Sequence, residues 1–305
     1  MLLATPLNLN VLHALDGGPM RLAELRQATG LPAQTTLRGH LKGLEGLGAL
    51  AKRPTNQMPL AVENRLTPMG EEMLQVSKRL EEWLKMAPTG EISLESGASK
   101  GIVKAMVDGW CSKITSSLAA EPMSLTDLDR KIPELSYPAL ERRLSNMRMA
   151  GLVESLPTTP TGTPYTLTDW ARRGVKPLAA ASRCERVHMG SQAPPVTEDD
   201  IEGTLLLATT LVDLPAQESG LCQLEVEAED RQREPTGIRV EVERGKVVAC
   251  ERGLAEEPPT FATGTPARWF TAVKDGSLDE LRFGGGRRLA ESLVLAMHVT
   301  LMGVQ

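Results

Sequence analysis

Residues 35–53, TTLRGHLKGLEGLGALAKR, contain two opposing signals within one short stretch. The leucines Leu37, Leu41, Leu44 and Leu47 recur every three or four residues, which predicts one apolar face of a helix. The same stretch contains four glycines, and each interior glycine destabilises a helix by about 1 kcal/mol relative to alanine. Either this helix is loosely formed, or another molecule comes close to its backbone.

The stretch belongs to a module that occurs twice in the chain. Residues 17–50 align with residues 120–153 at a constant offset of 103, so that Gly48 stands above Gly151. After a small change in length, the segment NRLTPMGEEML matches the segment YTLTDWARRGV. An internal repeat of this kind indicates two copies of one structural unit.

Each copy predicts the same series of elements. A short helix, at residues 22–29 and 125–131, precedes a turn and a longer helix, at about residues 32–47 and 137–150. Two extended runs then flank a proline-rich tip, PTNQMP in the first copy and PTTPTGT in the second. Helix, turn, helix and β-hairpin is the order of a winged helix-turn-helix.

The second copy contains LERRLSNMRMAGLV followed by TGTPYTLTDWARRG. This pattern resembles the HxlR-type branch of the MarR-like bacterial transcription regulators, in which a leucine-rich helix ending in GLV is followed by a proline-bearing wing and a Y.LT..G segment. The resemblance covers about residues 10–185. It implies that the second helix of each copy enters the major groove of DNA.

In the first copy, a turn of 100° per residue fixes which side chains lie opposite the leucines. Thr35, Gly39, Lys42 and Gly46 share that outward face, and Arg38 lies on its flank. Glycines there allow a close approach to DNA, and the polar residues reach bases or phosphates. The competing interpretation is a solvated face on which glycines accumulated without a function.

In the second copy, Arg142 and Asn146 turn outward, and these residue types read guanine and adenine edges. Arg143 lies nearer the core, and Arg53 and Arg65 flank the first wing, where they are candidates for phosphate or minor-groove contacts. Three further arginines, Arg148, Arg172 and Arg173, are equally explained as ordinary surface charge. The predicted DNA-binding residues are Thr35, Arg38, Lys42, Arg53, Arg65, Arg142, Arg143, Ser145 and Asn146.

The last third of the chain has a different period. LCQLEVEAED and GIRVEVERGKVVACE alternate apolar and polar residues and predict strands; a helix from about Pro266, a short strand at residues 281–283 and a closing helix follow. This order resembles the sterol-carrier-protein-like α/β fold, which implies an apolar cavity. The three aromatic candidates for its lining are equally explained as core residues. The predicted ligand-binding residues are Trp269, Phe270, Phe283, Leu293 and Met297.

The predicted fold class is therefore α+β, with two tandem winged helix-turn-helix domains followed by a sterol-carrier-like α/β domain. A hinge is expected near residues 193–200, where two prolines meet an acidic run. An amphipathic helix through Met73, Val76, Leu80 and Trp83 follows the first copy and predicts either a dimer-type interface, within one chain or between two, or packing on its own domain. The predicted domains and linkers are 1–90, 91–104 (linker), 105–190, 191–199 (linker) and 200–305.

The net charge of −5 is unevenly distributed. Residues 1–90 hold 10 Lys and Arg against 8 Asp and Glu, residues 91–195 hold 13 against 11, and residues 196–305 hold 11 against 20. The acidity is thus confined to the last third. Because attraction to phosphate is local, an acidic module away from the duplex is compatible with DNA binding.

Catalytic motifs are missing from the sequence: the four histidines are scattered, and no G-x-S-x-G, Walker or H-E-x-x-H pattern is present. We therefore expect neither an enzyme nor a cofactor. Cys184 and His188 lie one helical turn apart, but without a second ligand pair they do not predict a zinc site. Cys111 is either a redox sensor or, more simply, a buried structural cysteine.

Four widely separated cysteines, no signal peptide and no run of 18 apolar residues predict a reduced, cytoplasmic protein. The leading functional hypothesis is a transcription regulator that binds double-stranded DNA under the control of an apolar small molecule. The alternative is a small-molecule carrier in which the winged helices serve as a scaffold. The glycine-rich helix and the weak positive charge of both copies favour that alternative.

Overall fold

The computed structural model describes residues 5–54, 62–94, 96–160, 162–230 and 233–303. The chain forms two compact units. The first contains Met1–Val107 and Ala180–Ser191, and the second contains Asp108–Ala179 and Gln192–Gln305. Among the described residues, no helix is both long enough and apolar enough to cross a membrane.

The first unit consists mainly of helices with one small sheet. Its strands are antiparallel in the order β1-β3-β2, with Leu50 opposite Leu66. The tip of this hairpin, residues 55–61, lies outside the described residues. The elements are α1 (Pro6–Ala14), β1 (Met20–Arg21), α2 (Leu22–Ala28), α3 (Gln34–Gly46), β2 (Leu50–Pro54), β3 (Val62–Leu66), α4 (Pro68–Lys85) and α5 (Gly97–Val107).

Leucines on one face of α3 form the centre of this unit. Leu37 and Leu44 are fully buried, and they belong to a core that also contains Leu12 of α1, Leu25 of α2 and Met73 of α4. The predicted helices at residues 22–29 and 32–47 are confirmed to within two residues at each end. Burial of a leucine side chain contributes about 2 kcal/mol, which offsets the weak helix propensity of the glycines in α3.

Two further expectations concern the helices that follow. The apolar face of α4, including Met73, Val76, Leu80 and Trp83, is buried within the first unit, as packing on its own domain requires. Residues 97–107, most of which were predicted as linker, form α5. The buried side chains of this helix include Ile102. Association of two chains through α4 stays a prediction.

The second unit begins with a repetition of the same element order. The helices α7 and α8 begin and end 103 residues after α2 and α3, as the sequence alignment predicts. The strand order β4-β6-β5 also matches that of the first sheet. The elements are α6 (Gly109–Ala120), β4 (Met123–Ser124), α7 (Leu125–Lys131), α8 (Tyr137–Met149), β5 (Val153–Ser155), β6 (Pro164–Leu167), α9 (Asp169–Arg173) and α10 (Val175–Met189), and α10 continues into residues of the first unit.

The rest of the second unit contains a five-stranded sheet in the order β11-β10-β7-β8-β9, in which β7 and β10 are parallel and the other pairs antiparallel. Its strands and its last two helices follow the predicted order. The elements are α11 (Glu198–Thr209), β7 (Gly220–Val226), β8 (Thr236–Glu243), β9 (Lys246–Arg252), β10 (Thr260–Gly264), α12 (Pro266–Asp275), β11 (Arg282–Gly285) and α13 (Arg287–Met302).

Helix α11 was not predicted, and it changes the interpretation of the expected hinge at residues 193–200. Thr197 and Asp200 form a capping box that starts the helix, which is buried along almost its whole length. One side of α11 packs against α6, and the other packs against the five-stranded sheet. A Cβ atom on Gly203 would lie 2.7 Å from Ser116 Oγ, so the two helices touch closely. The last residues of the expected hinge therefore form the first turn of a packed helix, and movement at residues 193–197 stays a prediction.

One threonine in each copy connects the exposed helix to the element after the hairpin. Thr67 Oγ1 donates to the carbonyl of Gly48 at 2.5 Å and accepts from the amide of Gly70 at 3.2 Å. Thr168 Oγ1 makes the equivalent bonds to Gly151 and Ala171, at 2.8 and 3.2 Å. Each hydroxyl thus caps the following helix and holds the end of the preceding one.

We expect Thr67→Val and Thr168→Val each to lower the free energy of unfolding by about 1–2 kcal/mol, because the isosteric side chain loses the N-cap and leaves a carbonyl without its partner. Denaturant unfolding of the full chain measures this loss. Thr166→Val on strand β6 is the matched control and should change stability by less than about 0.5 kcal/mol. Equal effects of all three substitutions would contradict the assigned role of the hydroxyls.

Candidate nucleic-acid interface

The face of α3 opposite the leucines is exposed. Thr35, Arg38 and Lys42 are exposed, as is the glycine stripe, which we define as Gly39, Gly43 and Gly46. Within the described residues, neither Arg38 nor Lys42 forms an ion pair. The face therefore combines two available cations with a stretch of bare backbone.

The turn before α3 is fixed by local bonds. Arg26 Nε on α2 donates to the carbonyl of Pro32 at 2.9 Å, and Gly30 and Leu31 both have positive φ angles, of 83° and 57°. No acidic side chain lies in the first turn of α3, so the positive end of the helix dipole is not neutralised from within the helix. This arrangement favours an approaching anion such as a DNA phosphate.

The four glycines of the opening stretch separate into two groups. Gly48 ends α3: its φ angle is 81°, its amide bonds to Glu45 and the amide of Ala49 bonds to Leu44, which is a Schellman motif. The glycine stripe differs, since a Cβ atom built on any of its three members would meet no atom within 4 Å. The left-handed backbone at the helix end thus explains one of the four glycines, and no contact among the described residues explains the other three.

The corresponding face of α8 carries side chains where α3 has the stripe. At the offset of 103, the stripe aligns with Arg142, Asn146 and Met149, all of which are exposed. Met149 is 74% exposed and Tyr137, at the start of the helix, is 46% exposed. The two copies therefore have the same backbone elements but different surfaces at these three positions: glycines on α3 and long side chains on α8.

Most predicted DNA-binding residues lie on these surfaces or on the first hairpin. Arg143 is the exception, because its side chain is only 23% exposed and its Nε lies 3.6 Å from a carboxylate oxygen of Asp108. Sequence reasoning missed Tyr137 and Met149, although the repeat alignment places Met149 opposite Gly46. The exposed predicted residues are Thr35, Arg38 and Lys42 on α3, Arg53 on β2, Arg65 on β3, and Arg142, Ser145 and Asn146 on α8.

The predicted ligand-binding residues divide between interior and surface. Trp269, Leu293 and Met297 are fully buried, and Trp269 Nε1 donates to the carbonyl of Glu225 at 2.7 Å. Phe270 and Phe283 are only partly buried, and the guanidinium of Arg287 lies 5.5 Å from the centroid of the Phe283 ring. A role of these five residues in ligand binding stays a prediction.

All four cysteines are free thiols. Burial raises the pKa of Cys111 to about 11 and the pKa values of Cys222 and Cys250 to about 12. Burial, together with the Glu72 carboxylate, also raises the pKa of Cys184 to about 11. Since the thiolate is the form that reacts with oxidants, these protonated thiols favour the structural interpretation of Cys111 over redox sensing.

A helix-turn-helix followed by a β-hairpin, with an exposed second helix, is the architecture of a large class of DNA-binding proteins. Residues 3–90 match the family of HxlR-like helix-turn-helix proteins. The match covers α1 to α4 of the first unit and supports a DNA-binding transcription regulator. A search of curated proteins finds no match to this chain.

Replacement of Gly43 by alanine should raise the free energy of unfolding by about 1 kcal/mol, because the site is open and alanine has the higher helix propensity. Gly70 on α4 is the matched control. A Cβ atom there would lie 2.1 Å from the carbonyl oxygen of Ala49, so Gly70→Ala should destabilise the chain instead. Thermal unfolding of the two variants compares them. A loss of stability in Gly43→Ala would show that the stripe has an internal packing role.

Proposed function

We propose that this protein is a DNA-binding transcription regulator in which α3 and α8 both serve as recognition helices. The observation that carries the proposal is the repeated element order, with helix bounds conserved at an offset of 103 between the copy that matches the HxlR-like family and the second copy. The two copies are then tandem winged helix-turn-helix domains. No catalytic role is assigned.

The two helices would have different tasks. Arg142 and Asn146 project from α8 with the hydrogen-bonding groups that distinguish guanine and adenine in the major groove, so α8 would select the sequence. The glycine stripe of α3 offers only backbone, and its neighbours Arg38 and Lys42 suit phosphates. Helix α3 would therefore add affinity with little sequence preference.

Arg142→Ala and Asn146→Ala should each weaken binding to the cognate site by about 1–3 kcal/mol and leave binding to random DNA nearly unchanged. Fluorescence anisotropy with both duplexes, starting from DNA upstream of the protein's own gene, measures the difference. Arg239→Ala is the matched control, since this exposed arginine lies on β8 and pairs with Glu251. Equal losses on cognate and random DNA would exclude base recognition by α8.

The contribution of α3 is tested by salt dependence. Lys42→Ala should weaken binding to both duplexes and reduce the slope of log K against log salt concentration by about 1, because one phosphate contact is removed. Lys100→Ala on α5, an exposed lysine outside the helix-turn-helix, serves as its control. An unchanged slope in Lys42→Ala would remove α3 from the interface.

We further propose that an apolar or amphipathic small molecule, bound in the C-terminal part of the second unit, controls DNA affinity. The resemblance of residues 200–303 to sterol-carrier-like proteins supports this, as does the order of β10, α12, β11 and α13. Helix α11 offers a route for coupling, since it packs on the five-stranded sheet and on α6 of the second copy. A ligand that shifts the five-stranded sheet together with α11 would bias the position of the second copy through the contact of α11 with α6.

A saturating fluorescent fatty acid should change affinity for the cognate duplex by about 5- to 150-fold, the usual range of allosteric coupling. Anisotropy titrations with and without the fatty acid measure the ratio. Binding of the fatty acid by a chain that binds no DNA at low salt would favour the carrier alternative, in which the helix-turn-helix copies are scaffold. The glycine stripe of α3 supports that alternative, because it presents no side chains that could recognise DNA bases.

A further inference from the structure

Three metal-binding side chains converge within the first unit, away from the outward face of α3. Glu72 comes from α4, and Cys184 and His188 come from α10. One carboxylate oxygen, the thiol sulfur and one ring nitrogen all lie within 4.8 Å of one another. No second group of this kind occurs among the residues that the structure describes.

The local structure explains why these three meet. Cys184 and His188 are four residues apart on a helix, so both point to the same side of α10. Cys184 is 4% exposed and belongs to the core that also contains Met73 and Val76 of α4. Glu72 precedes Met73 directly and lies at the edge of that core, where its carboxylate reaches the other two residues.

The cluster is enclosed on one side and open on the other. Cys184 lies at its buried end, while the side chains of His188 and Glu72 are 20% and 30% exposed. The two partly exposed side chains therefore face the solvent side of the cluster. The cluster thus has one buried ligand atom and two partly exposed ones. It differs from a group of surface carboxylates, because thiol sulfur and imidazole nitrogen prefer particular metals.

The distances suit a small ion. His188 Nε2 lies 3.0 Å from Glu72 Oε2. Zinc holds sulfur at about 2.3 Å and nitrogen or oxygen at about 2.0–2.2 Å, so tetrahedral ligand atoms are separated by about 3.3–3.6 Å. The three donor atoms therefore need to move by only about 1 Å or less to surround an ion.

We propose that Glu72, Cys184 and His188 bind a divalent zinc ion, with water in the fourth position and with release of the Cys184 thiol proton to solvent. Thiolate, imidazole and carboxylate are the three ligand types that zinc uses in proteins, and three protein ligands with one open position is a common arrangement. The sequence shows the Cys184 and His188 pair but not its partner, because Glu72 lies 112 residues before Cys184.

A neighbouring arginine positions the carboxylate. Arg183 Nη2 lies 3.4 Å from Glu72 Oε1, which leaves Oε2 directed at His188. Ion pairs of this type orient ligating carboxylates in metal sites. A bound ion would join residues 180–191 to α4 within the first unit, so it should stabilise that unit.

Titration of the chelator-treated full chain with Co²⁺ tests the site, because cobalt takes the place of zinc and has visible absorption. We expect one equivalent to bind with a thiolate-to-cobalt charge-transfer band, which zinc then abolishes by displacement. Cys184→Ser should lose that band. Glu72→Gln and His188→Gln should weaken zinc binding by more than about 100-fold in a competition assay.

Matched variants separate ligation from general effects. Glu71→Gln changes the exposed neighbour of Glu72, and Cys111→Ser changes a buried thiol of the second unit; both should bind zinc like the unaltered chain. Cys184 is a core residue, so a failure of Cys184→Ser to fold leaves Glu72→Gln and His188→Gln as the deciding variants. Absence of stoichiometric binding by the unaltered chain, or undiminished binding by both of these variants, would overturn the proposal.

Discussion

The hydrogen bonds of the threonine that follows each hairpin are the interaction on which both copies of the repeated unit depend. Its hydroxyl donates to the carbonyl of Gly48 or Gly151, at the end of the exposed helix, and accepts from the first turn of the next helix. In both copies its amide also bonds to the residue after that glycine, at 3.1 Å. Without these bonds, several backbone groups at two helix ends would lack partners. This one residue therefore joins the end of the exposed helix, the end of the hairpin and the start of the following helix.

These bonds do not involve the outward face of the exposed helix, so the residues on that face can vary. The two copies differ there. Three glycines on α3 lower its helix propensity by about 1 kcal/mol each, and no atom of the described residues lies within 4 Å of a Cβ atom built on them. Arg142, Asn146 and Met149 fill the same positions on α8. A loss of helix propensity at positions that make no contact of their own is typical of a functional surface. The two faces therefore offer different groups to a partner: exposed backbone on α3 and long side chains on α8.

Features that depend on neighbouring residues in the chain could be predicted from the sequence, and features that depend on tertiary contacts could not. Helices α2, α3, α7 and α8 were predicted because leucines at a period of 3.6 mark one buried face. Helix α11 was missed because it is buried on two sides and so has no polar face to reveal its period. The Cys184 and His188 pair was visible as a helical spacing, whereas Glu72 joins it only through the packing of α4 on α10. The pairing of Arg143 with Asp108 is likewise a tertiary contact that helix geometry alone does not fix.

The position of α11 also constrains how the proposed effector would act. Glu202 on α11 is almost fully buried, and its carboxylate lies 2.8 Å from Arg252 Nη2 on β9. Burial raises the pKa of Glu202, while Arg252 opposes that rise. Loss of Arg252 would leave the Glu202 carboxylate buried without this partner, which costs about 3–5 kcal/mol. Helix α11 and the sheet should therefore move together as one body rather than slide past each other. A signal from a ligand inside that body would reach the second copy through the contact between α11 and α6, at Gly203 and Ser116, where close packing permits little independent motion.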